Sequence, residues 1–535
     1  MKMEKEEKVK KKKKSQENKT PKKSPLSEKH RLLIRGNKNK KNILKSDESI
    51  EAADNTTGKG KSKENKNREI IFITYVFAGL FLLVIGYYAN FMIRDSSEVI
   101  NNPYNKRQDL LAEQIIRGDI LSSDGKVLAH TLVDSEGVET RDYPFKNIYA
   151  HVVGRFSKGR TGLESSENFH MLTSHTNTIS KIVKELSGSK NIGDSIVTTL
   201  DTRIQEAAYN ALGNNRGAVV VMEPSSGKII AMVSKPDYDP NTINDTWEEL
   251  TKEDSKDGDK DSSLVNRAAQ GLYPPGSTFK ILTALEYVRE NPDYENYEYN
   301  CTGKDVFNSV TINCYHNNAH GHVDLKTSLA KSCNSSFANI GTTLNMTAFR
   351  KLCDSFLFNQ SIPVDMVYNK SSFVLNGKTA KDQIPQTVIG QGQTQITPLH
   401  NALIVSAIAN GGVMMKPYVV DSIESQSGET VKKYLPEMYK TAMTPEEAEI
   451  LTTFMNATVE SGTAAALKNS RYSVAGKTGS AEYMEGKPAH AWFVGFAPAE
   501  KPEIAVSIIV ESVGTGSDYA VPIAEKIFEA YFKSK

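Results

Sequence analysis

The sequence predicts an α+β protein with one transmembrane helix. Its main domain is predicted to be a sheet covered by helices. An uncharged run of 24 residues, 70–93, is long enough to span a bilayer. Beyond it, strand-like and helix-like segments alternate. Strands stand at both ends of the C-terminal region with helices between them, which favours a sheet that helices cover.

Charge is divided unevenly along the 535 residues. The chain carries 66 Lys and Arg against 64 Asp and Glu, a formal net charge of +2, but residues 1–69 alone hold 23 basic and 11 acidic residues. The remainder is therefore acidic. The near-neutral total, and a basic tail without aromatic residues, argue against nucleic-acid binding, so we predict no nucleic-acid partner. Four Cys are too few for a disulfide-dense scaffold.

The first two segments are a basic tail and a membrane anchor. Residues 1–69 lack apolar periodicity and are predicted to be a disordered cytoplasmic tail. At ~1.5 Å rise per residue, the run 70–93 is about 36 Å long, which exceeds a hydrocarbon core of about 30 Å. A cleaved signal peptide has a shorter apolar stretch. By the positive-inside rule we expect a single-pass cell-membrane protein with a cytoplasmic N-terminus and residues 94–535 outside.

The external region is predicted to contain two parts. Residues 94–195 have short apolar stretches and a hairpin-like turn at 122–125, and we assign them to a small extracellular module. Residues 196–535 are predicted to form one larger domain. Its expected elements are a helix at RIQEAAYNAL, a hairpin of GAVVVM and KIIAMV around EPSSG, a charged loop at 252–261, a buried strand at EIAVSIIV and an amphipathic closing helix at IAEKIFEAYF.

The first chemical motif is GLYPPGSTFKIL, which contains Ser277 and Lys280. The Pro-Pro-Gly turn and the apolar run after it predict that Ser277 sits at a helix N-terminus. Lys280, three residues on, falls on the same helix face. A serine needs a neighbouring base to act as a nucleophile, and a desolvated lysine can serve as that base. Ser-x-x-Lys alone is weak evidence, because it also begins at Ser123, Ser187, Ser225 and Ser328.

Two further motifs follow. LAKSCNSSF places Ser332 and Asn334 two residues apart, where one side chain can relay a proton and the other can hold an amide, although a turn or helix cap fits as well. VAGKTGSAE places Lys477, Thr478 and Gly479 on a predicted strand. A cation and a hydroxyl there can bind a carboxylate, and Gly479 leaves room for a substrate backbone.

The order of the motifs is more specific than any one of them. Ser332 follows Ser277 by 55 residues, and Lys477 follows Ser332 by 145. With these motifs the sequence resembles the class B penicillin-binding proteins, the monofunctional D,D-transpeptidases of bacterial cell walls. NRAAQGLYPPGSTFK, SCNSSFANIG, VIGQGQTQITPLH and AGKTGSAE are similar to family blocks, and RGDI at 117–120 and HVVGR at 151–155 resemble the non-catalytic module.

The resemblance implies a pedestal or dimerisation-type module, and a penicillin-binding transpeptidase domain with a central antiparallel sheet. Ser277 would attack the penultimate D-Ala carbonyl of a stem peptide, with Lys280 as its base. Ser332 would pass a proton to the leaving amine, and Asn334 would hold the peptide amide.

The same resemblance implies how the rest of the donor is bound. Lys477 and Thr478 would bind the terminal carboxylate beside Gly479. The backbone N–H groups of Ser277 and Ser480 would form the oxyanion hole. Ser480 is a departure, since the family more often has Thr at this position.

The implied partners are D-Ala-D-Ala stem peptides, β-lactams that acylate the same serine, and a membrane-embedded lipid-II polymerase of the elongation, division or sporulation type. The motifs leave two alternatives open, a D,D-carboxypeptidase and a β-lactam-binding sensor. A class A β-lactamase is disfavoured because no water-activating Glu can be placed. About 100 residues between anchor and domain are too few for a glycan polymerase domain.

The cysteines admit several interpretations. Cys301 and Cys314 lie 13 residues apart, close to His316, His320 and His322. A disulfide or two unpaired thiols are favoured over zinc, because the His spacing fits no ordinary zinc finger, and we predict no metal or other cofactor. We interpret Cys333, inside the second motif, and Cys353 as packing residues.

Overall fold

The computed structural model describes residues 63–94, 107–252, 262–468 and 471–533. In the first range, helix α1 runs over Lys63–Arg94, and its stretch Arg68–Met92 is long and apolar enough to cross a membrane. Within that stretch no side chain is buried in a protein core. The predicted span 70–93 thus falls within one continuous helix, whereas residues 1–62 of the predicted tail lie outside the described residues.

A small module of short elements occupies the next part of the chain. Its buried apolar residues, which include Ile120, Leu128 and Tyr143, belong to a core that continues into the larger domain. In chain order its elements are α2 (Arg107–Gln114), β1 (Ile115–Ile116), β2 (Ile120–Leu121), β3 (Val127–Val133), β4 (Glu139–Asp142), α3 (Gly162–Ser166), α4 (Asn168–Met171), α5 (Thr178–Leu186), β5 (Asn191–Ile192) and β6 (Ser195–Thr198).

A buried ion cluster connects three segments of this module. The fully buried Glu164 on α3 accepts hydrogen bonds from Arg117 Nε at 2.6 Å and Arg141 Nε at 2.7 Å. Gly118 packs so closely that a Cβ there would lie 2.0 Å from the carbonyl oxygen of Asp194. The Arg-Gly pair at 117–118 therefore supplies one charge for the cluster and one close backbone approach.

The larger domain contains the remaining elements. They are α6 (Thr202–Leu212), β7 (Gly217–Met222), β8 (Ile229–Lys235), α7 (Ile243–Thr251), α8 (Arg267–Gln270), α9 (Lys280–Glu290), β9 (Tyr299–Cys301), β10 (Lys304–Phe307), β11 (Val310–Asn313), β12 (Gly321–Val323), α10 (Leu325–Ala330), α11 (Asn334–Thr343), α12 (Met346–Ser355), α13 (Ile384–Thr387), α14 (Pro398–Ala409), β13 (Val413–Met415), β14 (Val420–Glu424), β15 (Thr430–Lys433), β16 (Met438–Thr441), α15 (Pro445–Ser461), β17 (Ala475–Ala481), β18 (His490–Ala497), β19 (Ile504–Val510) and α16 (Gly516–Lys533).

The central sheet has five strands in the order β17-β18-β19-β7-β8, and every neighbouring pair is antiparallel. On one face, Ile204 of α6 and Phe528 of α16 belong to a core that includes Phe493 and Ile508. On the other face, α14 packs against β7, β18 and β19. Because both faces are covered, β18 and β19 are buried along their whole length. This is the predicted fold class, which is thereby confirmed.

A second sheet joins the two parts of the chain. Its order is β15-β14-β6-β2-β3-β4, with β6 parallel to β2 and antiparallel to β14. The hairpin β14–β15 therefore completes a sheet whose other strands come from residues 120–198. The domain boundary placed between 195 and 196 lies within β6, and it stays a prediction.

The local elements read from the sequence are present in the structure. The predicted helix 203–212 is α6, and the two apolar runs around EPSSG are the antiparallel pair β7–β8. The buried strand and the closing helix are β19 and α16. Of the charged loop predicted at 252–261, residues 253–261 lie outside the described residues.

Candidate active site

Ser277 lies in a turn that several hydrogen bonds fix. Gly276 has φ +53°, a left-handed conformation that favours glycine, and a short 3₁₀ turn over Gly276–Phe279 leads directly into α9. The carbonyl oxygen of Pro274 accepts a hydrogen bond from Trp492 Nε1 at 3.0 Å, and that of Pro275 accepts one from Thr278 Oγ1 at 2.8 Å. Ser277 thus stands in the first turn of a helical segment, as predicted.

Lys280 connects this turn to the second motif. Its side chain is fully buried, and Nζ donates to the carbonyl oxygen of Ser332 at 2.8 Å and to Asn334 Oδ1 at 2.6 Å. Burial lowers the pKa of Lys280 to about 8, against smaller opposing effects of nearby cysteines. Among the described residues, no hydrogen bond joins Lys280 Nζ to Ser277. In free enzymes such a bond often forms only when the substrate is bound.

The second motif is a strained turn that ends at a helix. Ser332 has φ +55°, a conformation that non-glycine residues rarely adopt and that the surrounding structure must hold in place. Cys333 caps α11, which begins at Asn334, and Asn334 Nδ2 donates to the carbonyl oxygen of Asn313 at 2.8 Å. The hydroxyl oxygen of Ser332 lies 3.4 Å from Lys280 Nζ. The structure therefore brings the first two motifs into contact.

The third motif lies on β17, the edge strand of the central sheet. Lys477 is fully buried, and its Nζ donates to the hydroxyl oxygen of Ser332 at 2.9 Å. Burial, reinforced by the charge of Lys280, holds the pKa of Lys477 well below its ordinary value. The Thr478 hydroxyl shares a hydrogen bond with the Thr463 hydroxyl. Ser332 consequently lies between two buried lysines.

Gly479 is needed for packing. A Cβ at this position would lie 3.0 Å from Trp492 Cβ and 3.2 Å from Thr278 Cγ2. A larger residue would push β17 away from the turn that carries Ser277. This reason differs from the room beside a substrate backbone that the sequence suggested.

Two backbone N–H groups face the same region. The N–H of Ser277 is in the first helical turn, where such donors lack intrahelical acceptors. A Cβ on Gly276 would lie 2.9 Å from the Ser480 carbonyl oxygen, so this oxygen faces the serine turn. In an antiparallel strand the N–H and C=O of one residue point the same way. The Ser480 N–H therefore also points toward the side of Ser277.

Two residues that support the site were not identified from the sequence. Thr463, after α15, contacts Thr478, and its N–H donates to the Ala330 carbonyl oxygen at 3.2 Å. Gly390 accepts a hydrogen bond from the Gly276 N–H at 2.9 Å, and a Cβ there would lie 1.9 Å from the Gly276 oxygen. Both contacts join segments that are distant along the chain. Gly390 lies within the block VIGQGQTQITPLH, but no local pattern indicates that it meets Gly276.

The cysteines take one of the arrangements left open by the sequence. All four are free and buried, and the Sγ atoms of Cys301 and Cys314 lie 3.6 Å apart, beyond the S–S bond length of about 2.05 Å. Cys353 is a core residue, as expected. Cys333 is also fully buried, and its Sγ lies in one cluster with those of Cys301 and Cys314 and with His320.

A helix-covered antiparallel sheet with a serine–lysine turn against its edge strand is the architecture of a serine-type acyltransferase. Residues 217–529 match the family described as penicillin binding protein transpeptidase domain. Residues 117–196 match the penicillin binding protein A dimerisation domain. The chain belongs to the penicillin-binding protein transpeptidase family, as the motifs indicated.

Named relatives and solved structures agree with this membership. The chain is 31% identical over 465 residues to the peptidoglycan D,D-transpeptidase PbpA of Mycolicibacterium smegmatis, covering 80% of this chain and 91% of the relative. It is 32% identical over 462 residues to PbpA of Mycobacterium tuberculosis, with the same coverage. The imipenem acyl-enzyme complex of penicillin-binding protein A from M. tuberculosis has a TM-score of 0.72 at 29% identity, covering 78% of this chain and 99% of that one.

Proposed function

We propose that this protein is a peptidoglycan D,D-transpeptidase that cross-links stem peptides through an acyl-enzyme on Ser277 and is acylated there by β-lactams. The observation that carries the proposal is the position of Lys280. This residue lies one helical turn after Ser277, and its buried amine donates hydrogen bonds to Ser332 and Asn334. The PbpA relatives, named as D,D-transpeptidases, support the same reaction. The M. tuberculosis acyl-enzyme structures support the β-lactam reaction.

In the acylation step, Ser277 Oγ attacks the carbonyl carbon of the penultimate D-Ala. Neutral Lys280 takes the hydroxyl proton, and the pKa of about 8 leaves part of this amine neutral at physiological pH. The N–H groups of Ser277 and Ser480 stabilise the oxyanion. Collapse of the tetrahedral intermediate breaks the C–N bond and leaves an ester on Ser277.

The leaving D-Ala needs a proton and its carboxylate needs a cation. Ser332 lies between the amines of Lys280 and Lys477, so its hydroxyl can pass a proton from the lysine side to the departing amine. Lys477 and the Thr478 hydroxyl hold the terminal carboxylate, and Asn334 holds the peptide amide.

In the second step, the amine of a neighbouring stem peptide attacks the ester carbonyl. The ester C–O bond breaks, an amide cross-link forms, and Ser277 regains its proton. In a β-lactam the cleaved amide belongs to the ring, so the leaving amine stays attached and blocks the acceptor position.

The membrane arrangement is part of the proposal. The apolar stretch Arg68–Met92 supports a single-pass anchor, and the excess of basic residues in 1–69 supports a cytoplasmic N-terminus with the catalytic domain outside the cell. A membrane-embedded lipid-II polymerase is the proposed partner, since a monofunctional transpeptidase needs glycan strands made by another protein.

Labelling with a fluorescent penicillin tests the nucleophile. Full-length wild type in detergent is expected to take up label, whereas Ser277→Ala is not. Ser187→Ala is the matched control, because Ser187 begins another Ser-x-x-Lys sequence but is exposed. Equal labelling of wild type and Ser277→Ala would show that another residue is acylated.

A product assay separates the possible reactions. Incubation with a D-Ala-D-Ala stem-peptide donor and an acceptor amine is expected to give a cross-linked product together with free D-Ala. Release of D-Ala without cross-linked product would instead identify a carboxypeptidase. Stable labelling without D-Ala release would identify a sensor.

A further inference from the structure

Three cysteines and a histidine meet directly behind the second catalytic motif. They are Cys301, Cys314, Cys333 and His320, and their ligand atoms all lie within 4.8 Å of one another. We propose that these four side chains bind one zinc ion, which holds the Ser332–Asn334 turn in its catalytic conformation. The site is additional to the proposed function, although its effect on catalysis rests on the proposed roles of Ser332 and Asn334.

Three of the distances between ligand atoms match the edges of a tetrahedral zinc site. The Sγ atoms of Cys301 and Cys314 are 3.6 Å apart, and those of Cys314 and Cys333 are 3.8 Å apart. Cys301 Sγ lies 3.5 Å from His320 Nδ1. A tetrahedron with Zn–S of about 2.3 Å and Zn–N of about 2.0–2.1 Å has S–S edges of about 3.8 Å and S–N edges of about 3.5 Å.

The fold brings these ligands together although their spacing along the chain is not that of a zinc finger. Cys301 ends β9 and His320 immediately precedes β12, and these two strands pair with Gly321 opposite Cys301. Cys314 immediately follows the hairpin β10–β11. The fourth ligand, Cys333, comes from the catalytic motif itself. The spacing of the histidines along the chain disfavours zinc, but the pairing of β9 with β12 decides which residues meet.

The surroundings suit bound thiolates better than packing thiols. The Ser336 N–H donates to Cys333 Sγ at 3.4 Å, and the Ser335 hydroxyl lies 3.6 Å from Cys314 Sγ. Donors of this kind commonly surround the ligands of a metal site. The three cysteines form a separate buried cluster with Tyr299 packed against it. A disulfide within an odd set of three would leave one thiol unpaired, whereas one zinc ion satisfies all three sulfurs and the imidazole.

The metal would act on catalysis by position. Cys333 stands between Ser332 and Asn334, so its coordination fixes both neighbours. Asn334 also donates to the carbonyl oxygen of Asn313, the residue before Cys314. The proposed ligands Cys333 and Cys314 are therefore adjacent in sequence to Asn334 and Asn313, the two residues that this hydrogen bond joins. The left-handed backbone of Ser332 needs such restraint.

Metal content and cobalt spectroscopy test the site independently of activity. Full-length protein purified in detergent is expected to contain about one zinc per chain by mass spectrometry. After exchange with Co²⁺ it should show thiolate-to-cobalt charge transfer and the intense visible bands of tetrahedral cobalt. A wild type that binds neither ion, or that carries a Cys301–Cys314 disulfide, would overturn the proposal.

Matched variants identify the ligands. Cys301→Ser, Cys314→Ser, Cys333→Ser and His320→Gln are expected to lose zinc. Cys353→Ser and His322→Gln, which change the buried cysteine outside the cluster and an exposed neighbouring histidine, should keep it. Retention of full zinc by the ligand variants would contradict the assignment. If a ligand variant fails to fold, the cobalt spectrum of the wild type still shows whether thiolates bind the metal.

Metal removal tests the link to the active site. After chelation, acylation of Ser277 by penicillin is expected to slow by up to about 100-fold, the effect of misplacing catalytic groups by roughly 1 Å, and added zinc should restore it. Circular dichroism reports whether the fold persists. Unchanged acylation in zinc-free protein would refute the positioning role, and because Ser277 would still be labelled, the proposed transpeptidase function would stand.

Discussion

Two groups of buried cations in this molecule differ in whether a carboxylate accompanies them. In the small module, Arg117 and Arg141 share the buried carboxylate of Glu164. In the catalytic domain, Lys280 and Lys477 are both fully buried, yet neither forms a salt bridge among the described residues. Their partners are the hydroxyl and carbonyl oxygens of Ser332, the backbone, and an Asn side chain.

The difference separates a structural charge cluster from a reactive one. Burial would raise the pKa of Glu164, but the two arginines outweigh this effect and lower that pKa, so the carboxylate is ionised between them. Burial without a carboxylate lowers the pKa of both lysines. The proposed base, Lys280, is thereby partly neutral near physiological pH, and the carboxylate of a bound donor would favour the protonated form of Lys477.

The largest effect is expected for Lys280→Met. Without the base, the rate of Ser277 acylation should fall by about 10²- to 10⁴-fold, the usual contribution of general base catalysis. Stopped-flow mixing with a chromogenic β-lactam measures this rate. Lys326→Met, at an exposed position on α10, is the control and should acylate like wild type. Normal acylation by Lys280→Met would remove the lysine from the mechanism.

Removing the carboxylate from the arginine cluster should affect stability instead. Glu164→Gln leaves two buried arginines without their carboxylate, and the free energy of unfolding should fall by about 3–5 kcal/mol. Chemical denaturation followed by tryptophan fluorescence measures it, with the exposed Glu136→Gln as control. A change below that of Glu136→Gln would show that the cluster does not hold the module together.

Lys477→Met is expected to act through the substrate carboxylate. The kcat/KM for a D-Ala-D-Ala donor should fall about 10- to 100-fold, consistent with loss of a charged hydrogen bond of roughly 1.5–3 kcal/mol. A donor whose terminal carboxylate is replaced by carboxamide should lose less. Equal losses for the two donors would show that Lys477 does not recognise the carboxylate.

The smallest effect is a pH dependence. The reacting form of Lys280 is the neutral amine, so acylation should rise with pH, by about tenfold between pH 7 and pH 9, and level off above the pKa of about 8. Lys477 donates to the same hydroxyl, and burial together with the charge of Lys280 holds its pKa well below the ordinary value as well. Rates measured across this range in wild type check the trend, and a rate that falls with rising pH would contradict it.

Local patterns predicted much of this molecule. The long apolar helix α1, the helix α6, the β7–β8 hairpin and β19 follow from runs and periodic patterns of hydrophobic residues, and the order of the three motifs indicated the family. Pairing between segments far apart along the chain could not be predicted from local hydrophobic patterns. The hairpin β14–β15 joins β6 across more than 200 residues.

Inside the candidate site, too, contacts between distant segments could not be predicted from local patterns. The motifs placed Ser277 and Lys280 on one helical turn, but the contact of Thr463 with Thr478 depends on where α15 ends beside β17. The grouping of Cys333 with His320 depends on the β9–β12 pair. The sequence predicts that Gly479 leaves room for a substrate, and the close approach of Trp492 adds a second reason for a small residue there.

The central claim is that the buried lysines serve chemistry and the buried arginines serve the fold. Measuring acylation rate and unfolding free energy side by side for Lys280→Met and Glu164→Gln tests it most directly. Lys280→Met should lose acylation while its stability stays the same or rises, because an uncompensated buried charge is removed. Glu164→Gln should lose stability while its folded fraction acylates normally. If Lys280→Met instead unfolds and Glu164→Gln loses acylation, the two clusters have the reverse roles and the account is wrong.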